Sequence, residues 1–402
     1  MRCAAAAVGA ALLITVACDR RGGEPAQFSL RDSAGVAIVQ NGAAQWSADE
    51  SWQLADSPHL EIGSTEQPGH DLYEVSGAVR LSDGRIAVAN SGSSEIRIFS
   101  DAGELIMAIG GPGDGPGEFR SLNRIFLLPG DSILASDFAL DRLSVFSSNG
   151  DLVRTAQLAP APSGGIPVPS ARLTDGSLLA RPGFSFGGGA PSGVHQDTMT
   201  LMRYGADGSY LGELGRVPGS EFFVYSEGGN TLGGERVWGT KTHLAAAGNG
   251  FIVGRSADYS YEVRNADGAL LRIVRARRPP RPVTDADVAK LKEPDPDADT
   301  GSEALWARVL AAIEYPTHFP AYAGIVVDDS GHVWIREYVW PEDAATPQQW
   351  QVFDTEGRWL GDLSMPAGFT ALHIGADEVL GIHRDDMDVE HLQAYRLTRG
   401  AR

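Results

Sequence analysis

Cysteine is almost absent from this chain of 402 residues: Cys3 and Cys18 are the only two, and both lie in the first 18 positions. No disulfide framework can therefore hold the rest. Long apolar runs are missing too. Cys3 to Ala17 is an uncharged stretch of 15 residues, short of a membrane span at about 1.5 Å per residue, and no later segment approaches the roughly 18 apolar residues a span needs. Basic charge is scarce: 33 Lys and Arg against 52 Asp and Glu leave −19, which repels a phosphate backbone and argues against a nucleic-acid binder. There is no Gly-Lys dipeptide, hence no P-loop, and no His-Glu-x-x-His. Turn-formers are plentiful instead, with 49 Gly and 23 Pro against 21% charged residues. That balance disfavours a helical bundle and favours many short strands. A hydrophobic fraction of 43% is enough to fill a core.

The first residues read as an address. Arg2 supplies positive charge ahead of the apolar stretch, as in a signal peptide over residues 1–17. Thr15-Val16-Ala17-Cys18 resembles the bacterial lipobox, in which small residues precede a cysteine that is lipidated and becomes the new N-terminus. Thr15 departs from the usual leucine. An ordinary secretory leader with an incidental cysteine is the other reading, but lipidation gives the lone downstream sulfur a purpose. Residues 18–34 are polar and carry Gly22, Gly23 and Pro25, as a flexible tether would. The expectation is an exported bacterial lipoprotein of the periplasm or cell envelope, held to the membrane by lipid on Cys18.

Residues 35–402 are organised by a repeat. It is clearest over 78–110, AVRLSDGRIAVANSGSSEIRIFSDAGELIMAIG, and returns from Arg124, with Gly103 to Gly150 giving a period of 47. Looser copies start near Ser170, Thr242 and Ala323, and a last one near Ala371 has only three strand-like runs. A four-stranded sheet of this size cannot cover both of its faces alone, so the copies must stack on one another. Radial stacking predicts an all-β, six-bladed β-propeller of four-stranded antiparallel blades. Trp52-Gln53-Leu54 or Leu60-Glu61-Ile62 can supply the strand missing from the sixth blade and close the ring, and Gly35 to Gln40 is a further strand candidate. A β-sandwich or β-helix with a separate C-terminal domain is the competing architecture.

The repeats resemble the NHL family. Asp83-Gly84, Asn90, Gly103 and Ile109-Gly110 stand at that family's turn and strand-end positions, Glu95-Ile96-Arg97-Ile98-Phe99 and Arg142-Leu143-Ser144-Val145-Phe146 at its Arg-Ile-x-x-Phe strand. The linker from Gly110 to Phe119 is similar to its glycine-rich blade connection. The resemblance implies a six-bladed propeller. Two function classes are expected. One is a non-enzymatic binding or scaffold module for a protein, peptide or glycan partner, working as a monomer. The other is an NHL-like metal-dependent lyase or lactonase with its site in the central channel.

Two insertions interrupt the repeat. Residues 183–200, rich in Gly and Ser, read as a long flexible loop. Residues 279–322 read as a helical insertion between blades four and five: Thr284 and Ser302 are expected helix caps, and Leu305, Val309 and Ile313 share an apolar face. The insertion is either a roof for the channel or a brace.

Candidate site residues are few. Gly183-x-Ser185-x-Gly187 matches a nucleophile elbow, but glycines and Pro191 follow where a helix should start, so no catalytic residue is assigned. Asn90 and Asp137 end equivalent strands and are candidates either for the channel mouth or for capping the adjacent turn. Arg120 and Arg124 on the glycine-rich connection, Arg142, His243, His318 and Trp340 complete the candidate channel or partner-binding set. No cofactor is predicted. For Ca²⁺ or another metal the weak candidates are Asp295, Asp297 and Asp299, whose run lacks the glycine and Glu of an EF-hand loop, and His383 with Asp385 on a hairpin tip. The lipid anchor has a direct check: a radioactive fatty acid is expected to label the wild-type chain and not Cys18→Ala, and unaltered labelling would refute the anchor.

Overall fold

The computed structural model describes residues 28–47, 49–63, 67–162, 164–183, 191–228, 230–293, 300–340, 346–385 and 387–400. The leader, Cys18, Ser185, Asp295, Asp297 and Asp299 lie outside the described residues.

The N-terminal segment supplies β1 (Phe28–Ser33), β2 (Val36–Asn41), β3 (Gln53–Leu54) and β4 (Leu60–Ile62). Four-stranded antiparallel sheets follow: β5 (Val75–Arg80), β6 (Ile86–Asn90), β7 (Glu95–Phe99) and β8 (Leu105–Gly110), then β9 (Leu122–Leu127), β10 (Ile133–Asp137), β11 (Arg142–Phe146) and β12 (Leu152–Gln157). The third sheet has five strands, β13 (Pro167–Arg172), β14 (Leu178–Pro182), β15 (Gly193–Tyr204), β16 (Tyr210–Glu227) and β17 (Asn230–Glu235). The fourth holds β18 (Thr242–Ala247), β19 (Gly250–Arg255), β20 (Ser260–Asn265) and β21 (Leu270–Ala276), and is extended by β2 and β1. After helices α1 (Asp285–Leu291) and α2 (Thr300–Ala312) come β22 (Tyr322–Val327), β23 (Val333–Glu337), β24 (Gln348–Phe353) and β25 (Trp359–Met365). The sixth sheet is β26 (Phe369–Ile374), β27 (Glu378–Arg384) and β28 (Glu390–Thr398), flanked by β4 and β3. The first strands β5, β9, β13, β18, β22 and β26 each contact the next, and β26 returns to β5. The sheets are the blades of a six-bladed propeller.

Its core is divided into seams. Ile86-Ala87-Val88-Ala89 is buried on both faces because one face meets the second blade and the other meets the sixth. Ala87, Ile96, Ile125 and Phe146 fill the seam between blades one and two. Equivalent clusters fill the other five seams. Burying apolar area on both faces of every sheet, at roughly 25 cal/mol per Å², is what drives the ring together.

The N-terminal segment crosses several seams. Val39 packs between blades four and five, Trp52 between five and six, and Leu60 and Ile62 between six and one. β2 runs parallel to β21, the Trp46 amide donates to Leu360 O at 2.7 Å, and Leu60–Ile62 pair antiparallel with Leu392–Ala394. Asn41, only 2% exposed, ties blades four and five. It donates to Arg275 O at 3.2 Å and Gly357 O at 3.0 Å, and accepts from the Trp359 amide at 2.9 Å.

Two local expectations are corrected. The tether expected over 18–34 gives way to β1 from Phe28, because Ala34 and Gly35, at φ 56° and 83°, close a two-residue hairpin turn of the kind that requires positive φ at both positions. The flexible loop expected over 183–200 is strand from Gly193, where β15 pairs with an unusually long β16. Phe223 on that ribbon packs with Val309 of α2 and Ile313 just past its end, an apolar cover the local composition does not reveal. Thr284 caps α1 in a reciprocal box with Asp287. Ser302 is not a cap, since α2 begins at Thr300.

Asn41→Leu is expected to cost about 2 kcal/mol, because it leaves two carbonyls and one amide unpaired at a buried junction. Urea denaturation measures this, and an unchanged midpoint would show that Asn41 does not join the blades.

Candidate binding site: the axial channel and its mouth

A cavity of about 500 Å³ lies on the axis, lined by residues of β9, β13, β18, β22 and β26 and the strands behind them. Its charged lining consists of Arg124, Arg181 and Arg336, joined by His243, with no carboxylate. In a chain carrying −19 this is not a consequence of composition.

The register shows how the repeat builds it. Arg124 on β9 stands opposite Ser136, His243 on β18 opposite Gly254, Arg181 on β14 opposite Val168, and Arg336 on β23 opposite Gly324. Each basic group has a small or uncharged cross-strand partner. A Cβ added at Gly324 would meet nothing within 4 Å, so this position leaves open space in the channel beside Arg336. Among the described residues Arg124 donates to Ser170 O at 3.2 Å and Arg181 to Pro182 O at 3.3 Å, and neither forms an ion pair. Enclosure by the ring, and after it the charge of Arg181, lowers the Arg124 pKa, and burial lowers that of Arg181 with Glu235 opposing. An arginine stays charged nonetheless. His243 is pushed down to about 4, first by burial, then by the Lys241 and Arg336 charges, with Glu235 opposing. It is therefore neutral at pH 7. Asn123 Oδ1, His243 Nε2 and Trp350 Nε1 are buried in this wall without a hydrogen-bond partner.

A wider space of about 940 Å³ shares Arg336 and Thr370 with the channel and forms its mouth. It is bordered by the β17–β18 connection, Leu291 of α1, and the ends of β23 and β27. Its charged lining is balanced, with four basic and four acidic residues. Trp238 and Trp340 meet edge to face there, centroids 5.3 Å apart. Trp238 has φ 55°, a strained backbone for a bulky residue. Packing against Tyr315, Phe319 and Trp340 holds it in place. Such strain is concentrated at functional sites.

The sequence candidates divide accordingly. Arg124 and His243 lie in the channel and Trp340 at its mouth. Asn90 and Asp137 hold turns: Asn90 accepts from the Tyr73 amide at 2.7 Å, and Asp137 from the Arg120, Ser121 and Leu140 amides at 2.7, 3.1 and 2.9 Å. Arg142 clamps the glycine-rich connection through Asp114 O and Glu118 O, and Arg120 pairs with Asp114. His318 bonds its neighbour Thr317 at 3.0 Å on the connection to blade five. Trp340 lies beyond the end of β23, so it does not share a strand face with Trp334, which is fully buried in the seam between blades five and six. Asp385 accepts from the Met387 and Val389 amides of its turn, both at 2.9 Å. His383 is not joined to it in any group of three or more potential metal ligands among the described residues. The residues missed were Arg181 and Arg336. Their signal was present: each is the fourth residue of its blade's second strand, following three apolar residues.

Comparisons with known proteins support the fold. The DUF5128 family, described as a 6-bladed beta-propeller, matches residues 71–174. No curated protein matches the chain. A solved member of the DUF4221 family from Bacteroides vulgatus is similar at TM-score 0.54 and 12% identity, covering 87% of this chain and 99% of its own. A Bacteroides fragilis protein whose name proposes that it is exported matches at TM-score 0.50 and 12% identity, covering 90% of this chain and 100% of its own. Virginiamycin B lyase from Staphylococcus aureus is similar at TM-score 0.41 and 10% identity, covering 87% and 99%. At 12% identity the first two likenesses are of fold alone. No described helix is long and apolar enough to cross a membrane.

His243 generates a pH dependence. Its folded pKa of about 4 lies below the reference value of 6.5, so the unfolded chain binds the extra proton between those values. The corresponding stability is complete above pH 6.5 and declines as pH falls towards 4. His243→Asn is expected to flatten that limb in urea midpoints measured against pH; an identical slope in both proteins would sink the assignment.

Proposed function

We propose that the protein is an envelope-anchored, NHL-like propeller that acts as a non-enzymatic binding module, with lipid on Cys18 as its anchor. The mouth over the channel is its receiving face, and a protein, peptide or glycan is its partner. The observation carrying this reading is the charge of the channel. A propeller lyase or lactonase working through a central Ca²⁺ or Zn²⁺ needs converging carboxylate, amide-oxygen or imidazole ligands. Here the described wall presents three guanidiniums and no carboxylate, and its amide oxygen, Asn123, and imidazole, His243, stand among charges that repel a cation at the place where that mechanism would put it. Trp340 and Tyr338 give the mouth aromatic surface for stacking. The pairings of β3 and β4 with β28 support a further part of the reading, that the N-terminal segment is the clasp of the ring.

Elemental analysis of the purified protein tests the reading. No stoichiometric Ca²⁺ or Zn²⁺ is expected, and a chelator should leave the melting temperature unchanged. A stoichiometric ion removed with loss of stability would overturn the binding-module reading in favour of the metal-dependent enzyme.

A further inference from the structure

Resting on the reading of this protein as a binding module, we propose that the channel holds a small organic oxyanion, a carboxylate- or phosphate-bearing molecule, among Arg124, Arg181 and Arg336. Four observations converge on it. The guanidiniums of Arg124 and Arg181 each use one hydrogen bond to a backbone carbonyl and form no ion pair among the described residues, although the Glu235 charge is felt at Arg181. A guanidinium carries five N–H donors, so one carbonyl leaves most of their capacity for a ligand, and both residues line the cavity. Both lie close enough for the charge of Arg181 to depress Arg124, a repulsion that an anion between them would relieve. The cavity, at about 500 Å³, is within the usual range for a small-molecule site. Finally, the wall carries a buried donor without a partner, Trp350 Nε1, and such a group calls for a bound acceptor or water.

The chemistry sets the class. Arginine forks bind planar carboxylates and phosphates through paired N–H donors. The acidic remainder of the protein, at −19 overall, disfavours anions elsewhere on its surface and makes the channel the selective place. Entry is through the charge-balanced mouth, where an anion meets Lys241 and Arg384 as well as the carboxylates.

The test is calorimetric titration of the purified protein with citrate and with inorganic phosphate, holding ionic strength fixed with sodium chloride. Saturable binding of one or both is expected. The tighter of the two tells whether the natural group is a carboxylate or a phosphate. The double variant Arg124→Gln/Arg181→Gln should weaken binding by roughly tenfold to a hundredfold while keeping the wild-type circular dichroism. Should that variant fail to fold, the His243 ring signals in wild-type NMR spectra provide the second measurement, and they should move on titration with the same anion. Absence of saturable binding beyond that of chloride, or binding that the folded double variant retains, would overturn the proposal. A protein carrying a stoichiometric metal would sink the binding-module reading, whereas a metal-free protein indifferent to both anions would sink only this assignment.

Discussion

Every blade of this protein is apolar on both faces, and that constraint governs the rest. A sheet such as β5–β8 cannot fold alone without exposing one side of Ile86-Ala87-Val88-Ala89, so it needs a neighbour on each side. Six sheets meet the requirement by closing on themselves, and the apolar interior becomes six seams instead of one central core. The centre is then left for polar residues. Basic side chains project there from the first two strands of blades two to five.

The N-terminal segment shows how the seams are made continuous. Val39, Trp52 and Leu60 each enter a different seam, and Asn41 satisfies backbone groups of two adjacent blades at once. The far end of the chain is held at the same place. Arg399 donates to the buried Asp328 at 2.9 Å and lies over the Trp52 ring at 4.3 Å. Burial works to raise the Asp328 pKa, but hydrogen bonds from His332 and Trp334 together hold it below the usual carboxylate value. Segments more than 300 positions apart thus form one side of one junction. This is why the last sheet can be short of a strand of its own.

Function follows from what the ring does with its axis. In blades three and five the strand run of three apolar residues ends in Arg181 and Arg336, and in blades two and four the facing strand supplies Arg124 and His243. The residues that first attract attention, Asn90, Asp137 and Arg142, hold turns and blade connections instead. A strand-end Asn or Asp beside exposed amides caps them because that interaction is local and always available. A channel group, by contrast, is defined by residues from different blades.

The amino-acid sequence by itself determined the repeat and the number of blades, because a 47-residue period and two-sided apolar strands are local patterns with one radial solution. It also marked the helical insertion and the N-cap of its first helix, Thr284. Tertiary structure decided the rest. Residues 193–200 became strand because α2 covers the ribbon, and Phe28–Ser33 became strand because β2 offered an edge beside β21. The basic channel in an acidic protein was decided the same way. Charge along a chain is additive, whereas the field at an axis depends on which few side chains the closed ring turns inward.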